Sequence, residues 1–565
     1  MRTIEAAPLL NRIFDPIDRL TSSVDSLLRG RANWWRLYAA LCLVLIAPLF
    51  VVQIPPLTDY PNHLAREFVL AFGAHDPVLS RMYGQHWGII PNLAIDIATP
   101  ALARILPLYD AGRVMLAVTL LLPLAGVAAY HRAVFKTRSF WPLAGALVAY
   151  NGLFFLGFMN FLISLGMALL GAAAWVTWRD RRPIAIAVFG AVWSCAIFFA
   201  HAFGLLYLAL IVGGWELDRL LQMLRERRRL LPDMAHTTVR LAIVFLPPLV
   251  LCLLAPVADG GGKLEWRPLL DRVELLLLPF LTYDAVVSRL TGILFLATLY
   301  VLARNKLFCL APGAVWTIAI LLAGYAVCPF WMNGTAFVGD RLPIMLGFML
   351  FAGGKPQRLS IAGRLAMALL LALAFVVKTA GIVSVWYDHN ADLKDMRQAI
   401  APVPVGSRVL VVSLYPADNP HYWLTMRSGR WIPGLFRTDI HLAALLLIER
   451  RAFWPLLFTA RGKQPLVMRP PYDRLDGKQG VPPDYHVLEH PISAAELSAS
   501  PYLAHWTTDF DYVLLLDAGG AGDLHRYLPD RLRLLTSSDF AALFRIVPPA
   551  SAPDEAPIYP KSRQK

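Results

Sequence analysis

The stretch Ser139–Trp178, SFWPLAGALVAYNGLFFLGFMNFLISLGMALLGAAAWVTW, holds no charged side chain, yet Arg138 precedes it and Arg179, Arg181 and Arg182 follow it. As one straight helix of about 40 residues it would be roughly 60 Å long, twice the hydrocarbon thickness of a bilayer. Basic residues at both ends place both ends on the cytoplasmic side. The run therefore predicts a helical hairpin, with an outer turn near Asn151–Asn160, where Gly152 and Gly157 also lie. The same reasoning makes Pro183–Trp215 a second hairpin with His201 close to its turn, because Arg182 precedes it and Arg219, Arg225, Arg227, Arg228 and Arg229 follow.

Composition agrees with a membrane protein. Of the 565 residues 57% are hydrophobic and 16% charged, and mean hydropathy is +0.52; an average soluble protein carries roughly 25% charged residues. The net charge of +14 is spread between apolar runs as positive-inside topology requires, so it does not indicate nucleic acid as a partner. Cys42, Cys195, Cys252, Cys309 and Cys328 all fall in apolar runs, which excludes a disulfide framework and a thiolate metal site.

Working outward, residues 1–34 are expected to be a cytoplasmic segment without a cleavable signal, and Leu37–Ile54 a signal anchor. The chain leaves the membrane at Pro55-Pro56. A first outer loop, 55–110, is predicted to hold short surface helices broken by Pro77 and Pro91. Further spans follow Arg113, cover Val239–Pro256, start near Ala285, occupy Leu307–Trp331, start at Leu342 and end with Ala362–Trp386. The total is roughly eleven passes. From Tyr387 charges become frequent. Arg408–Ser413 and Asp511–Asp517 read as buried strands and Asp439–Arg451 as a helix, so 387–547 is expected to be an α/β domain outside the membrane. The Pro-, Ser- and charge-rich residues 548–565 read as disordered. The fold class is thus mostly α: a polytopic transmembrane bundle with a carboxyl-terminal extracytoplasmic α/β domain.

Polar residues from distant parts of the chain share one predicted depth, the outer boundary, which suggests a cavity opening there. Asp59 leads them, in Thr58-Asp59-Tyr60-Pro61-Asn62-His63-Leu64-Ala65-Arg66. After the Pro-Pro stop, Pro61 is expected to keep the chain extended and Asn62 to cap a helix. A carboxylate held there can act as general base on a hydroxyl, with His63 and Arg66 near enough to bind phosphate. The plainer alternative is that Asp59 pairs with Arg66. Asp340-Arg341 reads either as a boundary ion pair or as an arginine gripping a lipid phosphate with Asp340 orienting it. His201, Asn151 and Asn160 are candidates for binding, against ordinary polar contacts between helices. Asn92 and Asp96 face the same cavity, or Asn92 merely caps a surface helix. Glu265 and Arg267 are weaker, with solvation in a loop as the plainer reading, and His421-Tyr422-Trp423 in the outer domain is aromatic and polar enough to touch a sugar ring, against an ordinary edge of the fold. No Walker, HExxH, GxSxG or CxxC pattern is present, and Gly260-Gly261-Gly262 lacks the setting of a nucleotide site.

One span, an acidic outer loop after a Pro-rich exit, surface helices, many more spans and a terminal outer domain resemble the GT-C superfamily of integral-membrane glycosyltransferases. The Thr58–Arg66 segment, Pro91-Asn92-Leu93 and Tyr150-Asn151…Gly157-Phe158-Met159-Asn160-Phe161 are also similar to segments that recur in a group of bacterial multi-spanning proteins of unassigned role. The resemblance covers residues 35–386. It implies a polyprenyl-phosphate-linked sugar donor, a glycan, lipid or protein acceptor, an outward-facing site in the bacterial inner membrane, and Asp59 as catalytic base with inversion at the sugar. Many members carry two adjacent acids in the first loop, whereas this chain has Asp59 followed by Tyr60. A divalent cation is a compatible cofactor, but none is assigned; His63 or Asp96 would stand in for the second acid. The rival expectation is a lipid or polysaccharide transporter or an envelope assembly factor. A polymerase or ligase of lipid-linked oligosaccharides would share the donor.

Overall fold

The computed structural model describes residues 30–226, 230–256, 263–332, 334–414, 429–477, 480–489, 491–518 and 531–547. Gly260–Gly262, His421–Trp423 and the expected disordered tail lie outside them.

Among the described residues seven helices are long and apolar enough to cross a membrane: Arg31–Phe50, Leu108–Phe135, Met159–Trp178, Pro183–Ala200, Pro232–Leu254, Ala285–Arg304 and Ile361–Ile400. Three shorter apolar helical stretches, Trp141–Phe155, Ala314–Val327 and Arg341–Gly353, and the helix Ala202–Arg225 fall where the remaining passes were expected. We number those used below α1 (Arg31–Ile46), α2 (Tyr60–Phe72), α3 (Ala94–Leu102), α4 (Leu108–Phe135), α5 (Met159–Trp178), α6 (Pro183–Ala200), α7 (Ala202–Arg225), α8 (Leu230–Leu254), α9 (Ala285–Arg304), α10 (Ala314–Val327), α11 (Arg341–Gly353) and α12 (Ile361–Ile400).

Both hairpins form. In the first, the descending arm is short and Asn151 makes the turn. Its side chain accepts from the N–H groups of Leu153 and Phe154, both at 3.0 Å, and donates to the carbonyls of Val148 and Ala149. In the second, α6 opens with Pro183, whose fixed φ suits a first helical turn. At its far end His201 caps α7 by accepting from the Phe203 N–H at 3.1 Å. Helix α4 lies against α5 where Gly126 meets Gly166: a methyl on Gly126 would stand 2.8 Å from the Gly166 carbonyl oxygen. Such small-residue contacts let helices approach closely in lipid, where water exclusion between them contributes nothing.

Helix α2 corrects one local expectation. It starts at Tyr60, with Asp59 in the capping position and Pro61 at the second helical residue, so Pro61 does not hold the chain extended and Asn62 is no cap. Proline lacks only an N–H that the first turn does not use, so it fits there without loss. The Asp59 side chain makes no capping hydrogen bond.

Helix α12 runs past Tyr387 without a break and ends at Ile400. The composition change at Tyr387 therefore marks polar surroundings and not the end of the helix. Beyond it a four-stranded sheet forms from β1 (Val409–Ser413), β2 (Tyr512–Leu516), β3 (Leu532–Ser537) and β4 (Ala541–Ile546), in the order β1-β2-β4-β3. Strands β1 and β2 are parallel, Val409 facing Tyr512 and Ser413 facing Leu516; the other pairs are antiparallel. Both predicted strands are present. The predicted helix over Asp439–Arg451 is only a 3-10 turn at Leu442–Ala444 followed by a helix at Leu445–Arg450; Asp439 lies ahead of both, paired with Arg437.

Candidate active site

The site lies where the helical bundle meets the sheet domain. Residues 58 and 59 run beside the Asn151 hairpin turn: the Thr58 N–H donates to Phe155 O at 2.9 Å and the Asp59 N–H to Leu156 O at 3.1 Å. From the other side the Thr58 hydroxyl donates to the Arg437 carbonyl at 3.0 Å. Gly157, at φ +87°, closes over this segment; a methyl there would stand 3.0 Å from Asp59 Cβ. The left-handed backbone and the close approach both require glycine.

Asp59 is the least enclosed member, with 22% of its side chain exposed. Its neighbour is His441, 4% exposed, whose Nδ1 lies 3.2 Å from Asp59 Oδ1. The approach is close but makes no hydrogen bond, and both ring nitrogens of His441 remain unsatisfied. One turn on from Asp59, His63 packs its ring edge-on against Phe458 at 5.3 Å and also has a buried, unpartnered Nδ1. Burial pushes the His63 imidazole well below its usual range, and Arg66 and His441 push the same way.

Several predicted residues hold the site together. Asn62 spends its amide on the sheet domain, donating to Leu456 O at 2.8 Å and accepting from the Phe458 N–H at 2.9 Å. Arg66 does not pair with Asp59. It makes a buried two-pronged bond to Asp96, at 2.6 and 3.0 Å, which joins α2 to α3. Glu67 is buried beside this pair, and burial raises its carboxyl well above the usual carboxylate range. Burial also raises Asp96, against the pull of Arg66. Asn160 donates to Asn92 O at 2.8 Å and accepts from the Ile95 N–H at 2.9 Å. The two motifs Pro91-Asn92-Leu93 and Gly157–Phe161 are thus one joint in space, with Asn92 at φ +81°.

Arg341 occupies an aromatic enclosure. Its guanidinium stands 5.1 Å from the Phe158 ring, 5.9 Å from Phe161 and 5.0 Å from Phe203. One nitrogen donates to the carbonyls of Ala336 and Phe337, while Nε is buried without a partner. His201 lies against Phe161 at the same place. Asp340 neither pairs with nor orients Arg341. It bonds Arg267 at 3.1 Å, and Arg267 lies 4.0 Å over Phe330. Glu265 bonds Lys263. Lys378, inside α12, donates to Leu147 O at 2.9 Å, in the short arm before Asn151.

Sequence reasoning missed the sheet-domain half of the site. Arg437 grips Asp439 at 2.9 and 2.5 Å and also contacts Asp517 at the end of β2. Arg430 bonds Asp392 of α12 and Asp517, each at 2.7 Å. This ladder fixes the segment that presents His441. The run Arg437-Thr438-Asp439-Ile440-His441, dense in polar groups just before an apolar stretch, was its one visible signal. Among the described residues no three His, Cys, Asp or Glu side chains converge as a metal site.

No protein-family model and no curated protein matches the chain. Two solved structures are similar to it in overall course. One is ArnT from Cupriavidus metallidurans bound to undecaprenyl phosphate, 12% identical at a TM-score of 0.46, covering 92% of this chain and 99% of that one. The other is the same protein in the apo state, 13% identical at a TM-score of 0.44, covering 91% and 98%.

Proposed function

We propose that the chain is an inverting membrane glycosyltransferase that moves a sugar from a polyprenyl-phosphate donor to a glycan, lipid or protein acceptor on the outer face, with Asp59 as general base. One observation carries the reading. Every other aspartate of this site is held by arginine: Asp96 by Arg66, Asp340 by Arg267, Asp439 by Arg437, and Asp392 and Asp517 by Arg430; Glu67 is buried, and burial raises its carboxyl well above the usual carboxylate range. Asp59 has no arginine or lysine within ion-pair distance among the described residues, and it is partly exposed. An acid left unneutralised among neutralised ones is available to take a proton.

In the reaction the acceptor oxygen attacks the anomeric carbon and the bond from that carbon to the phosphate oxygen breaks. The hydroxyl proton passes to Asp59 and polyprenyl phosphate leaves with the bonding pair. One base and attack from the face opposite the leaving group give inversion. Arg341, with Nε unsatisfied and no acid partner, suits the phosphate, and His201 lies beside it. Arg66 is better read as a brace, since Asp96 takes two of its nitrogens.

The test is reconstitution of the purified protein with radiolabelled polyprenyl-phosphate sugars. Asp59→Asn is expected to cut transfer by about 10²–10⁴-fold. Equal rates in variant and wild type would remove Asp59 as base. Movement of the lipid across the bilayer without sugar transfer would make the protein a transporter.

A further inference from the structure

We infer that His441 is the positioning residue of Asp59, so that the sheet domain completes a site otherwise built by the membrane helices. The inference rests on the reading of Asp59 as base. Its own support is the state of the His441 ring. The residue is 3% exposed and lies among aromatic edges, 6.0 Å from Trp454 and 5.1 Å from Phe458 by ring centroids. Both nitrogens lack an aligned partner. A buried polar group left this way is costly, so an imidazole there is unfavourable unless it has a task. The carboxylate of Asp59 is its one ion-pair partner among the described residues, with Oδ1 3.2 Å from Nδ1.

The two residues are fixed relative to each other. Thr58, next to Asp59, is bonded to the Arg437 carbonyl, and Arg437 is locked by Asp439. The Leu442 N–H donates to Asp439 O at 2.9 Å and the Ala444 N–H to His441 O at 3.0 Å, so the segment turns tightly at the histidine. The charged and titratable groups nearby are His63 and Arg66 from α2, Arg437 and Asp439 from the same segment, and Arg341 from α11. None of them reaches Asp59 as His441 does. A ring N–H directed at Oδ1 holds the carboxylate in one orientation and leaves its other oxygen for the acceptor hydroxyl. Asp59 takes the proton; His441 does not.

His441→Leu and His441→Gln in the full-length protein test this. The leucine variant is expected to lose about tenfold or more in kcat, with KM for the donor unchanged. Glutamine, which keeps an N–H donor, restores most of the rate. In an Asp59→Asn background His441→Leu adds no further loss. Wild-type kcat in His441→Leu, or equal losses in both variants with matching falls in melting temperature, would overturn the inference. Full transfer by Asp59→Asn would instead overturn the base assignment.

Discussion

His63 shows how one side chain ties the site to pH. Its imidazole is buried, and burial pushes it well below the usual histidine value of about 6.5. Below that value the unfolded chain takes up a proton that the folded chain refuses. Stability is therefore expected to be full above about pH 6.5 and to fall as pH drops, by on the order of 1 kcal/mol per unit. Glu67 acts in the opposite sense, because its raised carboxyl costs stability as pH rises from 4.5. The His63 share is isolated by comparing wild type with His63→Phe in detergent melts from pH 7.5 to 5. The variant should show a shallower loss on the acid side; parallel curves would contradict it. At this scale the sequence was partly legible. Asp59, His63 and Arg341 stood out because ionisable groups are rare in so apolar a chain. The pairings around them did not: Arg66 pairs with Asp96, thirty positions on, and Asp340 with Arg267, across two spans, through contacts that no local spacing encodes.

At the scale of elements, charge bookkeeping located the helices and left their joints unread. Arginines on both sides of Ser139–Trp178 were enough to fold that run back on itself. Two features were out of reach. The start of α2 depended on whether Pro61 ended an extended segment or began a helix, and local preference allows both. The approach of His441 depended on the sheet domain docking onto the bundle. The hairpin turn carries a prediction of its own. Gly157→Ala must adopt a left-handed backbone and push against Asp59 Cβ, at a cost on the order of 1–2 kcal/mol. Transfer is expected to fall at least tenfold while the helical circular dichroism spectrum is retained. A variant with wild-type kcat would show that the turn does not set the Asp59 position.

For the whole molecule the first question is sidedness. Val405, exposed just beyond α12, and Glu226, exposed at the end of α7, should lie on opposite sides of the membrane. In a cysteine-free background Val405→Cys is expected to react with an impermeant maleimide in intact spheroplasts, and Glu226→Cys only after lysis. The reverse pattern would put the proposed site in the cytoplasm.

Helix α12 has a mechanical consequence. Its 40 residues form a rod of roughly 60 Å that is continuous from the membrane into the sheet domain, where Asp392 grips Arg430. With no hinge between the two, the rod is a lever with its pivot in the bilayer. Its membrane stretch, Ile361 to Trp386, is roughly 39 Å at 1.5 Å per residue, more than the hydrocarbon core, and leaning is one way to fit it. A thinner bilayer increases the lean, and the far arm converts that into displacement of the sheet domain over the hairpin turn. Transfer rates in vesicles of increasing acyl-chain length should therefore pass through an optimum, and a flat response would mean that the arm yields. An optimum would make the protein a gauge of membrane thickness.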